Sequence, residues 1–256
     1  MSAWKVEREG DVAVVTIDKP PLNLVVFDDM FELGKAMGEL RSDPRIRAVV
    51  LTGAGQAFVG GADVKQFGVL DPVTARYELL AGQRVLRDIE EMEKPVIAAV
   101  NGVAFGGGCE IALACDIRIC SEEARFGQLE INYGIIPGWA GSQRLVRIVG
   151  AGRAKELVLT GRVVDAREAH MIGLVSEIVP GPELMERARE IAGMLAAKPP
   201  IAVALAKEMV NAAADLSLPL GGSLEAAACA IAMGTEDCIE GVRAFVEKRK
   251  PDFKGR

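Results

Sequence analysis

Residues 95–116 constrain the fold of this chain more than any other segment. The segment begins with small and β-branched apolar residues, which predict a buried strand over Val96–Val100. Three consecutive glycines, 106–108, follow, and an apolar run extends over residues 111–115. A helix that is apolar on every side has to be buried. The segment therefore predicts a strand, a glycine-rich turn and a buried helix.

Glu110 stands in the first turn of this predicted helix. Burying a charge costs about 3–5 kcal/mol when its partner is missing, and even a neutral carboxyl needs hydrogen-bond partners. One interpretation is a structural carboxyl that a backbone N–H or an arginine satisfies. The other is a general acid or base beside a helix N-terminus, where glycines let backbone N–H groups approach a developing negative charge. The segment alone leaves both interpretations open.

The same segment is mostly apolar and reaches the length of about 20 residues that a membrane-spanning helix needs. Asn101, Glu110 and four glycines interrupt it, however, and no cluster of lysine or arginine flanks it as an orientation signal. We therefore expect a strand, turn and helix in place of a membrane span, and no membrane partner.

Composition narrows the class of protein. The chain has 256 residues, half of them hydrophobic, which is enough for one large domain or a main domain with a smaller appendage. Its net charge is −6 and its basic residues are scattered, which argues against nucleic acid as a partner. Five cysteines show no CxxC pair or zinc spacing, and no signal peptide precedes the first predicted strand. We expect a cytoplasmic protein without disulfides.

The order of predicted elements indicates an α/β core followed by helices. Strands are predicted over residues 4–9, 12–18, 46–52, 96–100, 117–121 and 175–179. Helices are predicted over residues 28–40, 74–93, 141–149, 153–160, 165–171, 183–196, 201–214, 224–234 and 235–248. Residues 53–63 are expected to form a loop and residues 124–132 to be irregular. The last helices are rich in alanine, which fits close packing either between subunits or within one chain.

Several common catalytic designs do not fit the sequence. A dinucleotide-binding turn over residues 53–60 would need glycine where Phe58 stands, and no clean helix follows. No phosphate-binding P-loop or GxSxG turn is present. The single histidine, His170, falls in a short charged helix and is expected to be a surface or packing residue. A Ser-His-Asp triad and a histidine-bound metal are therefore not expected.

A second carboxylate in an apolar setting is Glu130. An exposed loop glutamate would be the plain interpretation, but its surroundings favour an inward position, because they include Phe126, Leu129, Ile131, Ile135 and Ile136. Two buried carboxyls suit paired acid–base work, since burial raises their pKa toward neutral pH. Residues 59–63 offer free backbone N–H groups which, with those near Gly107, could form a two-donor oxyanion hole.

Three linked motifs and the chain's C-terminal end resemble the enoyl-CoA hydratase/isomerase family, the crotonases. The motifs are AFVGGADVKQF at 57–67, NGVAFGGGCEIALACDIRI at 101–119 and FGQLEINYGIIPGWAGSQRL at 126–145, and the end is EGVRAFVEKRKPDF at 240–253. The resemblance implies a crotonase-like spiral of ββα units over residues 1–195, which holds the active site. It also implies a helical C-terminal trimerisation region over residues 196–256, with trimers commonly paired into hexamers.

The resemblance also implies roles for individual residues. The backbone N–H groups of Ala62 and Gly107 would hold the thioester oxygen as it becomes an enolate. The two catalytic glutamates fall on Glu110 and Glu130, which would hold one water together. Glu110 would act mainly as the base that activates this water, and Glu130 would give a proton to the α-carbon.

Substrate contacts follow from the same resemblance. The residues expected to line the path of coenzyme A (CoA) and the acyl group are Gly60, Ala62, Asp63, Val64, Lys65, Gly107 and Trp139, with Lys250 and Phe253 contacting CoA within the chain or across a subunit boundary. Trp139 departs from the family, which usually has a small residue there. Either it shortens the acyl pocket or favours a flat acyl group, or it points away and packs. Gly60, where alanine is common, is expected to add loop freedom.

These observations predict an enoyl-CoA hydratase, a hydro-lyase that adds water reversibly and syn to a 2-enoyl-CoA in fatty-acid or related acyl-CoA degradation. One alternative is another crotonase reaction, by a cyclic dienoyl-CoA hydratase or an enoyl-CoA isomerase. The other is a non-catalytic relative that binds CoA or RNA. No metal or redox cofactor is expected, because CoA arrives as part of the acyl-CoA thioester substrate. A homotrimer or homohexamer is expected.

Overall fold

The computed structural model describes residues 2–66 and 68–256, so that Phe67, the last residue of the first motif, lies outside the described residues. The strands are β1 (Trp4–Glu9), β2 (Val12–Ile17), β3 (Ala48–Gly53), β4 (Ala57–Val59), β5 (Val96–Val100), β6 (Val103–Phe105), β7 (Ile117–Ser121), β8 (Arg125–Gly127), β9 (Val164–Asp165) and β10 (Glu177–Val179). The α-helices are α1 (Phe27–Ser42), α2 (Pro72–Glu90), α3 (Gly107–Ala114), α4 (Gly141–Val149), α5 (Ala151–Thr160), α6 (Ala166–Met171), α7 (Leu184–Ala196), α8 (Pro200–Ala212), α9 (Leu218–Met233) and α10 (Glu236–Glu247).

The strands form two sheets. The large sheet has the order β1-β2-β3-β5-β7-β10, and all its pairs are parallel except β1 with β2. The small sheet has the order β4-β6-β8-β9, with β4, β6 and β8 parallel. Three successive units share one arrangement, in which a strand of the large sheet is followed by a strand of the small sheet and then by a helix. These units are β3-β4-α2, β5-β6-α3 and β7-β8-α4. The predicted spiral of ββα units is confirmed.

The strands of the small sheet are the main elements that the sequence prediction missed. Residues 53–63 were expected to be a loop and residues 124–132 to be irregular, yet they contain β4 and β8. Each of these strands, like β6, has only three residues. Three residues are too few to show the alternation of a strand pattern, and their pairing depends on neighbours far along the chain.

Helices cover both faces of the large sheet. One hydrophobic cluster joins a face of this sheet to α1, α2 and α3, and a second joins the other face to α7. Every residue of α3 is buried, as its all-round apolar sequence predicts. The carboxylate of Glu110 therefore lies in the interior, because the helix that bears it is buried on all sides.

Several predicted boundaries were wrong by a few residues. Helix α2 begins at Pro72, because Asp71 caps it by accepting hydrogen bonds from the N–H groups of Val73 and Thr74 at 2.9 and 3.2 Å. Helix α9 begins at Leu218, six residues before the predicted start, because proline fits the first turn of a helix. Strand β10 begins at Glu177 instead of 175.

Helices α8, α9 and α10 form the C-terminal region and bury little within the chain. Helix α8 has no buried residue, and α9 buries only Ala228. Lys207 connects α8 to the core, donating to Asp116 at 2.8 Å and to the carbonyl oxygens of Ile89 and Lys94. The division at residue 195 and the role of this region in trimerisation stay predictions.

Within residues 2–66 and 68–256, no helix combines the length and the apolar character that crossing a bilayer requires. The cytoplasmic location stays a prediction.

Candidate active site

The residues singled out by the sequence lie close together at one edge of the small sheet, where 'edge' means the side formed by the carboxyl ends of its parallel strands. Strands β4, β6 and β8 run parallel, and their carboxyl ends lie together. Ala62 follows β4 by three residues, Gly107 follows β6 by two, and Glu130 follows β8 by three. Ligand sites of parallel sheets form at this end of the strands, because the loops there converge.

Two glycines bring the loops after β4 and β6 into contact. A Cβ atom on Gly61 would lie 3.1 Å from the carbonyl oxygen of Phe105, and one on Gly108 would lie 2.0 Å from that of Val59. Gly61 also has a φ of +118°, which L side chains rarely adopt. The backbones around Ala62 and Gly107 can therefore approach only because these two positions lack side chains.

The N–H groups expected to form the oxyanion hole are both unengaged. Gly107 is the first residue of α3, so its N–H has no acceptor within the helix. Ala62 pairs with Val25 in an isolated bridge, but the hydrogen bonds there use the carbonyl of Gly61 and the N–H of Asp63. Neither N–H donates to an acceptor in the part of the chain that the structure describes.

Glu110 is buried, with 2% of its surface exposed. Its Oε1 accepts hydrogen bonds from the N–H groups of Trp139 and Gly141, both at 2.7 Å, which leaves Oε2 for another partner. Burial and the nearby charge of Glu130 raise the pKa of Glu110 to about 8, although the two N–H groups and Arg144 favour the charged form. The carboxyl is thus neither an ordinary surface acid nor a fully satisfied structural group.

Glu130 is also buried, with 9% of its surface exposed, and opens the short 3-10 helix Glu130–Tyr133. Its carboxylate lies beside the turn before α3, since a Cβ atom on Gly106 would be 3.1 Å from its Oε1. The N–H of Gly106 in turn donates to the carbonyl of Gly127 at 2.8 Å, which fixes this turn against β8. Burial raises the pKa of Glu130.

Gln128 contacts the carboxyl of Glu130 and Gly141 contacts that of Glu110, and sequence reasoning did not single out either residue. The side-chain amide of Gln128 is assigned with its nitrogen toward Glu130, because only that orientation gives a donor at 3.1 and 3.2 Å from the two carboxylate oxygens. A Cβ atom on Gly141 would lie 2.6 Å from the Gln128 amide and 2.9 Å from Oε1 of Glu110. Both residues stand inside the third motif, and a polar residue between Gly127 and Leu129 was the available signal.

Trp139 is buried and packs against the site. The Cβ position of Gly107 lies 2.5 Å from Cζ3 of the indole, and that of Gly82 in α2 lies 2.3 Å from its Nε1. The ring meets Phe27 edge-on, with centroids 6.5 Å apart and the planes at 74°. Its carbonyl accepts a hydrogen bond from Arg144 at 2.9 Å. The ring edge of Trp139 therefore faces Gly107, and its role in lining the acyl pocket stays a prediction.

The other residues expected to contact substrate lie in two places. Asp63 is half-buried, and Val64 and Lys65 are exposed in the turn after Ala62. Gly60 does not add loop freedom, because its N–H donates to the carbonyl of Leu22 at 2.7 Å and a Cβ atom would lie 2.9 Å from that oxygen.

The C-terminal pair lies elsewhere in the chain. Lys250 is exposed. Phe253 packs against Gly241, and its carbonyl accepts a hydrogen bond at 2.8 Å from Arg47, the residue before β3. No described hydrogen bond connects these two residues with the glutamates, so that their role within one chain or across a subunit boundary stays a prediction.

The single histidine lies outside this edge, whereas Cys109, which stands between Gly108 and Glu110, is a buried thiol close to both glutamates. His170 is exposed, with Nδ1 3.3 Å from the carbonyl oxygen of Val175. All five cysteines are free thiols, and burial raises the pKa of Cys115 and of Cys120 to about 12. Among the described residues, no three His, Cys, Asp or Glu side chains form a group that could hold a metal ion.

Two free N–H groups beside two buried carboxyls suit an enzyme that polarises a carbonyl and moves protons next to it. Comparisons with known proteins agree with this class. The family model described as enoyl-CoA hydratase/isomerase matches residues 7–256. A short-chain-enoyl-CoA hydratase of Clostridium acetobutylicum is 46% identical over 98% of this chain and 97% of that protein. A crotonyl-CoA hydratase of Syntrophomonas wolfei is 43% identical over 96% of each.

Solved structures give the same result. The crystal structure of an enoyl-CoA hydratase from Bacillus anthracis superposes with a TM-score of 0.95 at 39% identity, covering 99% of this chain and all of that one. The chain belongs to the enoyl-CoA hydratase/isomerase family. The sequence prediction of a crotonase fold and of an enoyl-CoA hydratase, a hydro-lyase, is thereby confirmed.

Proposed function

We propose that the chain hydrates 2-enoyl-CoA thioesters with Glu110 and Glu130 as its acid–base pair and with the N–H groups of Ala62 and Gly107 as its oxyanion hole. The observation that carries this proposal is the pairing of two buried carboxyls at the edge where those two N–H groups stay unengaged. Such donors stabilise an oxygen on which negative charge develops, because they are already oriented in a water-poor site.

The reaction needs one charged and one neutral carboxyl. Burial raises the pKa of both glutamates, and the charge of Glu130 adds to the effect on Glu110, so that the pair holds one proton around neutral pH. In the reactive form of the pair the proton lies on Glu130, and the charged Glu110 takes a proton from water as the oxygen adds to C3 of the substrate. Glu130 delivers its proton to C2, and the negative charge returns from the thioester oxygen. A further water lets the two carboxyls exchange the proton and restores the starting state.

The hydrogen bonds of the site support this division of roles. Oε1 of Glu110 is held by two backbone N–H groups, which orient Oε2 as the base. The Gln128 amide faces the carboxyl of Glu130 and orients it in the same way. An isomerase needs one proton carrier that serves two carbons, whereas two separately oriented carboxyls suit water addition. Isomerisation and hydration of a cyclic dienoyl-CoA are therefore the second candidates.

The proposal includes an assembly. The C-terminal region presents an apolar surface, with exposed fractions of 61% for Ile231, 62% for Val242 and 86% for Phe245. Exposed patches of this kind mark interaction sites, which supports association of several copies through α9 and α10 as a homotrimer or homohexamer. CoA would enter as part of the substrate along Gly60, Asp63, Val64 and Lys65, and no separate cofactor takes part.

The test is the loss of the enoyl-thioester absorbance of crotonyl-CoA. We expect Glu110→Gln and Glu130→Gln each to lower kcat at least about 100-fold, the scale of acid–base catalysis. Glu39→Gln, which changes an exposed glutamate of α1, is the matched control and should keep full activity. Glutamine preserves the shape of both side chains, so that a loss reports proton transfer.

Other outcomes identify the alternatives. Activity with a 3-enoyl-CoA but none with crotonyl-CoA would favour an isomerase. Activity limited to a cyclic dienoyl-CoA would favour the specialised hydratase. An inert protein that retains RNA on a filter would contradict the enzymatic proposal.

A further inference from the structure

We propose that the indole of Trp139 is the end wall of the acyl pocket and restricts the enzyme to short, straight-chain enoyl thioesters. This inference rests on the proposed function, because it places the thioester carbonyl at Gly107. The acyl pocket here means the space beside Gly107, Glu110 and Glu130.

The indole fills the space directly behind the proposed oxyanion hole. One edge of its six-membered ring meets Gly107, where a Cβ atom would lie 2.5 Å from Cζ3 and 3.0 Å from Cε3. Its five-membered ring lies under Gly82, whose Cβ position is 2.3 Å from Nε1 and 2.7 and 2.9 Å from the two carbons beside that nitrogen. The side chain therefore extends from the first residue of α3 to the middle of α2.

The backbone on both sides of the ring is fixed. The N–H of Trp139 donates to Glu110 at 2.7 Å, and its carbonyl accepts from Arg144 at 2.9 Å. The Gln83 amide of α2 donates to the carbonyl of Gly138 at 2.8 Å. The segment is thus held by α2, α3 and α4 together, which fixes the backbone position from which the indole extends.

Departures from ordinary packing rules cluster around this ring. Gly82 lies in the interior of α2, where glycine is the least favourable residue after proline. Ala140 has a φ of +67°, which residues other than glycine rarely adopt. The indole Nε1 is buried and has no hydrogen-bond partner within residues 2–66 and 68–256, although buried tryptophans usually have one. Such departures concentrate at functional sites, because a residue selected only for stability would avoid them.

The orientation of the rings favours a short acyl group over a flat one. A slot for a flat group needs two parallel surfaces, but Phe27 meets the indole at 74°. With the carbonyl held at Gly107, the first acyl carbons lie between the glutamates and the ring. A longer chain has to displace the indole, whereas a crotonyl group ends before it.

The experiment compares crotonyl-CoA with 2-octenoyl-CoA. Burying one methylene is worth about fourfold in kcat/KM. Trp139→Ala and Trp139→Leu are therefore expected to raise the octenoyl-to-crotonyl ratio of kcat/KM at least about tenfold, as four more methylenes find room. The backbone N–H to Glu110 remains in both variants. Trp4→Phe is the control for the loss of a buried tryptophan, because the indole of Trp4 packs elsewhere and donates to the carbonyl of Asp29 in α1. This variant should leave the ratio unchanged.

A fluorescence measurement makes the test independent of catalysis. The chain has two tryptophans, so Trp139 is the only one in the Trp4→Phe protein. Butyryl-CoA, which cannot be hydrated, should change its emission, and free CoA should not. The inference would be overturned if Trp139→Ala lowered the activities with crotonyl-CoA and 2-octenoyl-CoA equally, or if butyryl-CoA left the emission of Trp139 unchanged. An emission change without hydration of crotonyl-CoA would support the wall and contradict the proposed function instead.

Discussion

Replacing Glu110 with glutamine is expected to abolish activity and to stabilise the protein. The folded chain holds this carboxyl with a pKa raised from 4.5 to about 8, chiefly by burial. A raised pKa means that the proton stabilises the fold fully below pH 4.5 and that this contribution is lost as the pH rises through about 8. Above that range the folded protein carries a buried charge that the unfolded chain places in water.

The size of the effect follows from the two pKa values. Each pH unit between them costs 1.36 kcal/mol of unfolding free energy, which amounts to about 5 kcal/mol above pH 8 and about 3 kcal/mol at pH 7. Glutamine keeps a carbonyl oxygen to accept from the N–H groups of Trp139 and Gly141 and carries no charge. Glu110→Gln should therefore remove the whole penalty.

Thermal unfolding from pH 5 to pH 8.5, at one protein concentration, measures this difference. For a chain of this size, each kcal/mol of stability usually shifts the melting temperature by about 2–4 °C. The melting temperature of Glu110→Gln should therefore exceed that of the parent by about 6–12 °C at pH 7 and by little at pH 5. Glu39→Gln, at an exposed position, should track the parent throughout. A variant less stable than the parent, or a difference that does not grow with pH, would refute the argument that burial disfavours the charged form of this carboxyl.

Two further predictions test the frame around the site. Gly108→Ala should lower stability by about 1–3 kcal/mol in urea unfolding and slow hydration, because its Cβ atom would lie 2.0 Å from the carbonyl oxygen of Val59. Gly152→Ala in α5 is the control: its Cβ atom would meet no described atom within 4 Å, so that the change should be neutral or stabilising. Lys207→Met should lower the free energy of unfolding by about 1–3 kcal/mol, since it removes the lysine from the half-buried Asp116 carboxylate, to which the N–H of Val96 still donates; unchanged stability, or no recovery when Asp116→Asn is added, would count against this role.

The sequence predicted best where a long segment had one environment. The strand before Asn101 and the helix around Glu110 are apolar throughout, so that burial and an anomalous carboxylate could be inferred together. The large sheet and most helices were found for the same reason. In each of these segments, the pattern of apolar and polar residues is sufficient to predict which parts are buried.

The small sheet could not be predicted, although it positions the site. Its strands β4, β6 and β8 are three residues each, and their paired residues lie 22 to 46 positions apart along the chain. The convergence of Glu110 with Glu130 came from a family resemblance, because spacing along the chain does not fix which strand ends meet. Gln128 and Gly141 were missed because their importance lies in contacts with those two side chains.

The most direct test of the account is a crystal structure of the Glu110→Gln protein with crotonyl-CoA bound, since slow turnover should preserve the substrate. We expect the thioester oxygen to lie within about 3.1 Å of the backbone nitrogens of Ala62 and Gly107, and the C2–C3 bond to face Glu130 and the substituted side chain. A thioester oxygen bound elsewhere, or a C2 atom out of reach of Glu130, would contradict the assignment of this edge of the small sheet as the site of hydration.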